Sequence, residues 1–529
     1  MSAPDLTEIA NGLRLLTGLP RFLRERLSTT AAREVLDRRF ESRERDFLDL
    51  ARRAIFAHPR SPYRALLRSA GCEYGDLERL VNERGLDEAL RVLLREGVFL
   101  SLDEFKGRQP IVRGSKIIAA AGPAALANPL TRPAWAAQTS GSSGHAAPVT
   151  FGLDFVRDRS VNLSLFLEAR RGMGWRHAVW GVPGTTDLIM LLELAGVGLC
   201  SLEWFSQVPA GGARLHPRYA WSARLVGWSS RLAGRPLPRP VDAPLHDPLP
   251  VARWARDVLD AGLTPHLTTW VTPAIRMCLA AREAGIDLSG IQLTLGGEPL
   301  TAARRDILRA SGAAVVPRFL AIETGYIGYG CLEPGAPDDN HLIHDFNAVI
   351  AAGTNGQAAG LPPKAILLTS LRRSVPVILL NVSLGDEAEL ARRECGCPLG
   401  RLGYDRHLSH IRSVERLKSG GMTFLDRDVV PVLEHILPGA FGGTALDYQL
   451  VESESPDGTP EVVIVASPAL GPLDDQKVIA AFLEAIGRGS GAERIASLQW
   501  RSAGTVRLER RVPETTATGK IRHLLRARP

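Results

Sequence analysis

The chain has 529 residues, a formal net charge of +7 and six cysteines. One hydrophobic core cannot serve a chain of this length, so we expect two or more domains. The contents of 45% hydrophobic and 23% charged residues are typical of a globular protein. The arginines are scattered among acidic residues instead of alternating with aromatic ones, which argues against a nucleic-acid partner.

The cysteine count and the apolar runs bear on the compartment. Six cysteines in a chain of this length do not make a disulfide framework. The first residues lack the charged and apolar regions of a signal peptide. Apolar runs such as residues 188–200 contain a glutamate and are too short to cross a bilayer. We therefore expect a cytoplasmic protein without a membrane partner.

Apolar residues at helical spacing predict that residues 1–110 are helical. From about residue 115, short apolar runs alternate with helical patterns. The spacing predicts strands and helices in alternation. The predicted strands are at 178–182, 263–270, 291–295 and 313–316. One predicted helix covers 187–194, and another begins at Pro273. This alternation predicts an α/β fold, in which ligands bind at the carboxyl ends of the strands.

The region from 205 to 250 is rich in Pro, Gly and Arg and is expected to form a surface excursion. Beyond residue 412 the pattern changes to a hairpin, a helix and a further strand. The elements expected there are strands at 448–451 and 462–465 around the turn 455–458, a helix at 475–486 and a strand near 497–500. We therefore expect a helical region (1–110), a large α/β domain (111–412) and a small α+β domain (413–529).

A run of hydroxyl-bearing and glycine residues interrupts the large domain. It comprises Thr139, Ser140, Gly141, Ser142, Ser143 and Gly144. Successive backbone amides in such a turn form a concavity that binds anions. The run is not a Walker A loop, because Gly-x4-Gly-Lys-Ser/Thr is absent. Taken alone, it favours a flexible surface loop.

Five further segments follow this run along the chain. They are Gly296-Gly297-Glu298-Pro299, Phe319 to Glu323, Leu384-Gly385-Asp386, Ile411 to Gly421, and Thr518-Gly519-Lys520-Ile521. In order and spacing, the six segments resemble the adenylate-forming superfamily, which makes acyl-adenylates from a carboxylic acid and ATP. The closest resemblance is to its phenylacetate–CoA ligase branch, over roughly residues 110–529.

The resemblance implies a role for each segment. A carboxylate and a polyphosphate repel each other, so their reaction requires Mg²⁺ and a positively charged side chain. The implied catalytic residues are Glu323 as the Mg²⁺ ligand, Lys520 between the carboxylate and the α-phosphate, and Arg412 on ribose or phosphate. The implied nucleotide contacts are Thr139 to Gly144 on the pyrophosphate, Gly296 to Pro299 beside the adenine, Phe319, Thr324, and Asp386 on the ribose hydroxyls.

Each of these residues also has a non-catalytic alternative. Asp386 could cap a helix over 387–393, and Arg412 could pair with Asp405 or Glu415 at the surface. Glu323 could be a solvated loop carboxylate, Lys520 a solvated terminal charge, and Gly296-Gly297 a plain turn. The chain also departs from the family pattern at Leu320, Ile322 and Val414, which implies an activity that is slow, redirected or lost.

The resemblance further implies a zinc site. Cys395 and Cys397 lie one residue apart, and Cys331 and His341 lie in the segment after Glu323. Three thiolates and an imidazole satisfy tetrahedral Zn²⁺, with His344 as a competing ligand. The alternative is that these cysteines pack as small apolar groups.

Aromatic residues suggest an acyl pocket. Trp204, Trp270 and Tyr326 would favour an aryl or other apolar carboxylic acid, although Trp270 is equally typical of an ordinary core. The acceptor in the second step is CoA, the thiol of an acyl carrier protein, or an amine. Three hypotheses follow, namely an acid–thiol ligase, an acyl-protein synthetase, and a non-catalytic nucleotide-binding homologue.

Overall fold

The computed structural model describes residues 6–119, 122–132, 134–138, 148–199, 201–207, 227–357, 360–413, 416–419, 422–454, 460–488, 506–516 and 519–526. Several predictions therefore lie outside the described residues. These are the Ser/Gly run 139–144, Val414, Glu415 as a partner of Arg412, Gly420 and Gly421, the turn 455–458, the strand near 497–500 and Thr518. Within the described residues, no helix combines the length and apolarity needed to span a membrane.

The helices are concentrated in the first hundred residues. They are α1 (Leu6–Arg24), α2 (Thr29–Glu41), α3 (Arg43–Leu50), α4 (Pro62–Ser69), α5 (Tyr74–Arg84), α6 (Leu86–Arg95), α7 (Leu102–Phe105), α8 (Leu153–Ala169), α9 (Thr185–Gly196), α10 (Leu249–Asp260), α11 (Val271–Glu283), α12 (Ala302–Ala310), α13 (Gly353–Gln357), α14 (Pro398–Arg401), α15 (Asp426–Pro431), α16 (Leu437–Phe441) and α17 (Asp475–Gly487). The predicted helical character of residues 1–110 is confirmed for the described residues 6–110.

The strands begin where the helical region ends. They are β1 (Ile111–Arg113), β2 (Lys116–Ala119), β3 (Trp135–Gln138), β4 (Pro148–Phe151), β5 (Arg176–Gly181), β6 (Leu202–Ser206), β7 (Val241–Asp242), β8 (Pro265–Trp270), β9 (Gln292–Gly296), β10 (Ala314–Ala321), β11 (Gly325–Gly330), β12 (Asn340–Leu342), β13 (Asn347–Ala351), β14 (Ile366–Ser370), β15 (Asp386–Arg392), β16 (Arg406–Ser413), β17 (Arg416–Ser419), β18 (Met422–Leu425), β19 (Tyr448–Glu454), β20 (Pro460–Ala466), β21 (Val506–Arg510) and β22 (Leu524–Arg526).

A ten-stranded sheet carries the large part of the chain. Its order is β15-β16-β12-β11-β10-β9-β8-β5-β6-β7. The strands from β10 to β7 in this order are parallel, while those from β10 to β15 are antiparallel. Buried runs such as β8, with all six residues buried, are typical of parallel strands covered by helices on both faces. The α/β class is confirmed.

The N-terminal helices share a core with this sheet. Leucines on one face of α6, among them Leu90 and Leu94, are buried in the same cluster as Tyr326 of β11 and Leu408 of β16. Charge pairing reinforces the contact. Asp87, in the first turn of α6, accepts from Arg43 at 2.8 Å and pairs with Arg406 of β16.

The last hundred residues have a separate core, and we call the described residues from 429 onward the small unit. Its sheet has the order β21-β20-β19-β22, and α17 buries Val478, Phe482 and Ile486. The predicted hairpin is confirmed, because β19 and β20 pair antiparallel from Tyr448↔Ala466 onward. The predicted helix at 475–486 is confirmed as α17.

One alternative from the sequence is wrong. Asp386 does not cap a helix over 387–393, because residues 386–392 form β15 and pair with β16 from Asp386↔Ser413 to Arg392↔Arg406. β15 is the edge strand of the sheet, and its register shifts between Glu387 and Glu389.

Candidate active site

The carboxyl ends of three neighbouring parallel strands meet at one edge of the large sheet. β8 ends at Trp270, β9 ends at Gly296 and β10 ends at Ala321. Ligands of open α/β sheets bind at this edge. The turns that follow these strands carry predicted site residues, including Glu298 after β9 and Glu323 after β10.

Lys520 reaches this edge from the small unit. Its Nζ lies 4.2 Å from the centroid of the Trp270 ring, a distance at which a cation is attracted by an aromatic face. Burial lowers the pKa of Lys520, and the nearby Glu298 carboxylate opposes that shift. The partly buried ammonium therefore faces a ring and a carboxylate, and is not the solvated terminal charge of the alternative.

Gly297 makes this approach feasible. Its φ is +75°, a conformation that favours glycine. A Cβ atom at this position would lie 2.5 Å from Cε3 of Trp270 and 2.6 Å from Nζ of Lys520. The close contact of three residues thus depends on the missing side chain.

The turn that carries Lys520 is fixed by its own hydrogen bonds. The amide of Lys520 donates to Oγ1 of Thr516 at 3.2 Å, and the amide of Gly519 donates to the Thr516 carbonyl at 2.8 Å. Gly519 has a φ of +73° and packs against Leu245, where a Cβ would lie 2.5 Å from Cδ1. Glycine is therefore required at position 519 for this geometry.

Glu298 ties the turn after β9 to helix α11. Its carboxylate accepts from the Thr272 amide at 2.8 Å and from the Thr272 hydroxyl at 2.7 Å. The same hydroxyl accepts from the amide of Ile521 at 3.3 Å. Glu298 therefore caps the N-terminus of α11. Thr272 connects Glu298 to the segment that bears Lys520.

Arg318 is a buried cation that the sequence analysis missed. It lies on β10 beside Gly296, where a Cβ would be 3.1 Å from Cγ of Arg318. Its Nη2 lies 3.2 Å from Sδ of Met190. Burial lowers its pKa, and its charge also lowers the pKa of Lys520. The available signal was a lone arginine in an otherwise apolar strand.

Two predicted pocket residues bond to buried carboxylates. Nε1 of Trp204 donates to Oδ2 of Asp187 at 3.0 Å, and the hydroxyl of Tyr326 donates to Oε2 of Glu193 at 3.0 Å. Burial raises the pKa of Asp187 to about 7, and the Trp204 bond opposes this shift. Burial also raises the pKa of Glu193, which pairs with Arg159. Both acids were missed because each lies in an apolar helix, α9.

The turn between β10 and β11 holds Glu323 and Thr324. Burial raises the pKa of the Glu323 carboxyl, and the ammonium of Lys106, from the N-terminal helical region, opposes the shift. The Thr324 hydroxyl donates to Oδ1 of Asn347, so it is engaged in the interior. Phe319 is partly buried on β10 and packs against the main core.

Asp386 and Arg412 lie near each other on the paired strands β15 and β16. The side chain of Arg412 pairs with Oδ2 of Asp338 at 3.0 Å. Asp405 is not its partner, since that carboxylate pairs with Arg392 at 2.9 Å. The alternative of an Arg412–Asp405 pair is therefore wrong.

Cys331, His341, Cys395 and Cys397 converge in a buried cluster. Their ligand atoms all lie within 4.8 Å of one another. Nε2 of His341 lies 3.1 Å from Sγ of Cys397 and 3.7 Å from Sγ of Cys395. Nδ1 of His341 donates to the Tyr404 carbonyl at 2.7 Å, which leaves the Nε2 lone pair facing the sulfurs.

The pKa values of the three cluster thiols shift in opposite directions, since hydrogen bonding to Cys397 raises that of Cys331 and burial raises that of Cys395. Hydrogen bonding from Cys331, followed by that from His341, lowers the pKa of the Cys397 thiol. The competing candidate His344 instead stacks on Phe40 with ring centroids 4.9 Å apart. Three sulfurs and one imidazole nitrogen form a donor set that zinc prefers.

The fold has known counterparts. The chain matches 2-hydroxyisobutyryl-CoA ligase in the postadenylation state, in complex with 2-HIB-AMP, at a TM-score of 0.54 and 14% identity, over 92% of this chain and 89% of that one. The complex of that ligase with R3-HIB-AMP gives a TM-score of 0.55 at 14% identity, with the same coverage of both chains. The chain shares the fold of this CoA ligase. No protein-family model and no curated protein sequence matches it significantly.

Proposed function

We propose that the chain activates a carboxylic acid with ATP as an acyl-adenylate and then transfers the acyl group to a thiol, most simply that of CoA. The observation that carries this proposal is the docking of Lys520 on Trp270 and Gly297, at the carboxyl edge of the parallel strands. An ammonium at that edge is suited to neutralise the repulsion between a carboxylate and the α-phosphate, because lysine is a compact point charge.

Four residues are proposed to have separate roles in the formation of the acyl-adenylate. Lys520 would hold the two reacting anions together, since burial weakens its hydration and strengthens its attraction for them. Glu323 would ligate Mg²⁺, which on binding supplies charge neutralisation at the phosphates. Burial raises the pKa of Glu323 and so disfavours its charged form, and a bound cation would offset that cost as Lys106 does in part. Asp386 is proposed for the ribose hydroxyls and Arg412 for ribose or phosphate.

The Cys331–His341–Cys395–Cys397 cluster is proposed to hold structural zinc. The ion would tie the end of β11 and the start of β12 to the loop before α14, next to strands β15 and β16. A coordinated site of this kind contributes to folding and not to the reaction. We propose the domain limits 1–110, 111–412 and 413–529 for the whole chain.

The acyl group is proposed to be small or aromatic and largely apolar, with one polar group. Trp204 and Trp270 would supply apolar surface, while Asp187, which accepts a hydrogen bond from Nε1 of Trp204, would supply a carboxyl that is neutral below about pH 7. The test is carboxylate-dependent exchange of pyrophosphate into ATP, measured over a panel of aliphatic, hydroxylated and aromatic acids. Exchange with at least one acid supports the proposal, and no exchange with any acid contradicts it.

An acyl-protein synthetase is distinguished by its acceptor. Such an enzyme would show the same exchange but form no thioester with free CoA, and would load a carrier-protein thiol. A non-catalytic homologue would bind ATP without exchange.

A further inference from the structure

A buried polar network joins the small unit to the described residues before 429, which we call the large unit, and its member His523 lies three residues from Lys520 in the sequence. Its members are Thr301 and Arg304 at the start of α12, with Glu434 and His523 from the small unit. All four side chains are buried. None of them was assigned a role by the sequence analysis.

Glu434 is the centre of the network. Its Oε1 lies 2.8 Å from Nε of Arg304 and 2.7 Å from Nε2 of His523. Its Oε2 accepts from the Thr301 hydroxyl. One carboxylate from the small unit thus binds two side chains of the large unit and one of its own.

The network continues on both sides toward the proposed site. Nη1 of Arg304 donates to the Pro299 carbonyl at 3.1 Å, in the turn that contains Gly297. Nδ1 of His523 lies 3.2 Å from the Tyr448 carbonyl, which anchors the segment after Lys520 to β19. The charge network therefore fixes both the turn that receives Lys520 and the segment that delivers it.

Few apolar residues contribute to the rest of the interface between the small unit and the large unit. In the part of the chain that is described, Leu446 and Ile521 are the small-unit residues that join the apolar cluster of the large unit. An interface held mainly by charged groups behaves like a transient one, so relative motion of the two units is the default expectation. Loss of one partner of a buried ion pair is strongly destabilising, because it leaves an uncompensated charge.

We infer that Thr301, Arg304, Glu434 and His523 form a latch that positions Lys520 at the adenylation site. The inference rests on the proposed function. Glu434 and Arg304 are positioning residues, since they act on the reaction through the placement of Lys520.

Amide hydrogen exchange tests the latch without any substrate. The amide of Ile521 is bonded to Thr272 across the interface, so it reports docking directly. In Glu434→Gln, we expect exchange at Ile521 to rise about tenfold or more, while amides of the β19–β20 pair keep their protection. Asp87→Asn, at a buried carboxylate that pairs with two arginines far from the small unit, is the matched control and should leave Ile521 unchanged.

A second variant removes the charge of the partner of Glu434 in the large unit. Arg304→Gln alters only the large unit and must expose Ile521 in the same way. The latch is overturned if both variants are folded and neither exposes Ile521, or if exchange rises equally throughout β19 and β20. Because this experiment needs no acid or nucleotide, its outcome is independent of the pyrophosphate exchange assay.

The rates of the two half-reactions distinguish a positioning role of the latch from a general loss of folded protein. In Glu434→Gln, adenylation measured by pyrophosphate exchange should fall about tenfold, while thioester formation from added acyl-adenylate should be unchanged or faster. An equal loss in both half-reactions would contradict the latch.

Discussion

The Nζ atom of Lys520 lies 4.2 Å from the centre of the Trp270 ring, although Lys520 comes from the small unit and Trp270 ends a strand of the large sheet. The contact brings a cation to the sheet edge at which α/β proteins bind ligands. It also explains why Gly297 is a glycine, since a side chain there would displace both partners.

Gly297→Ala is expected to abolish most of the adenylation activity without unfolding the protein. The new methyl group would meet Trp270 and Lys520 at 2.5 and 2.6 Å, so the ammonium must move. We expect pyrophosphate exchange to fall by about 10²-fold, the loss typical of a misplaced charged group. Gly285→Ala is the control, because Gly285 has a similar φ of +68° with no atom within 4 Å of the added methyl. Equal activity of the two variants would refute this role of Gly297.

Removal of one cluster thiol should remove a bound metal. We expect the purified protein to contain one zinc per chain by elemental analysis, and Cys397→Ser to lose it along with thermal stability. Cys278→Ser is the matched control, since Cys278 is equally buried but lies apart from the cluster. Protein that contains no zinc when purified without chelators, or zinc retained by Cys397→Ser, would show that the cysteines only pack as apolar groups.

Asp187 should destabilise the protein at high pH. Burial raises its pKa from 3.8 to about 7, so between these values the folded state holds a proton that the unfolded state has released. Stability from this group is therefore complete at low pH and falls as pH rises toward 7, by up to roughly 4 kcal/mol. Asp187→Asn should raise the urea midpoint at pH 8 and change it little at pH 4.

Asp87→Asn should behave in the opposite way. Burial tends to raise the pKa of Asp87, but Arg43 and Arg406 outweigh this and lower it. Its contribution is therefore present at neutral pH and lost as pH falls below the ordinary range of an aspartate. A urea midpoint at pH 8 that rises in Asp87→Asn, or falls in Asp187→Asn, would contradict the two assignments.

Local signals in the sequence were sufficient for much of the fold. The strands β5, β8, β9 and β10 and the hairpin β19–β20 follow from apolar runs bounded by turn residues. Lys520 was located through the resemblance of Thr518-Gly519-Lys520-Ile521 to the terminal Gly-Lys motif of the family. No strand was predicted at Asp386, because an aspartate before glutamates is also typical of a helix start.

Contacts between distant residues were beyond a sequence argument. Arg412 binds Asp338 and not the nearby Asp405, and Trp204 bonds to Asp187, because the sheet order decides which loops meet. The Arg304–Glu434 pair likewise forms only where the small unit docks. A single charged residue in an apolar segment, as at Arg318 and Glu193, was the one signal that such contacts leave in the sequence.

The most direct measurement is carboxylate-dependent exchange of pyrophosphate into ATP by the intact protein and by Lys520→Ala. With an acid that the wild-type protein accepts, we predict that the rate of pyrophosphate exchange in Lys520→Ala falls by about 10²- to 10³-fold. Lys477→Ala, at an exposed lysine of the same small unit, should retain full exchange. Undiminished exchange in Lys520→Ala would contradict the proposed function, because the ammonium that contacts Trp270 would then have no part in activating the acid.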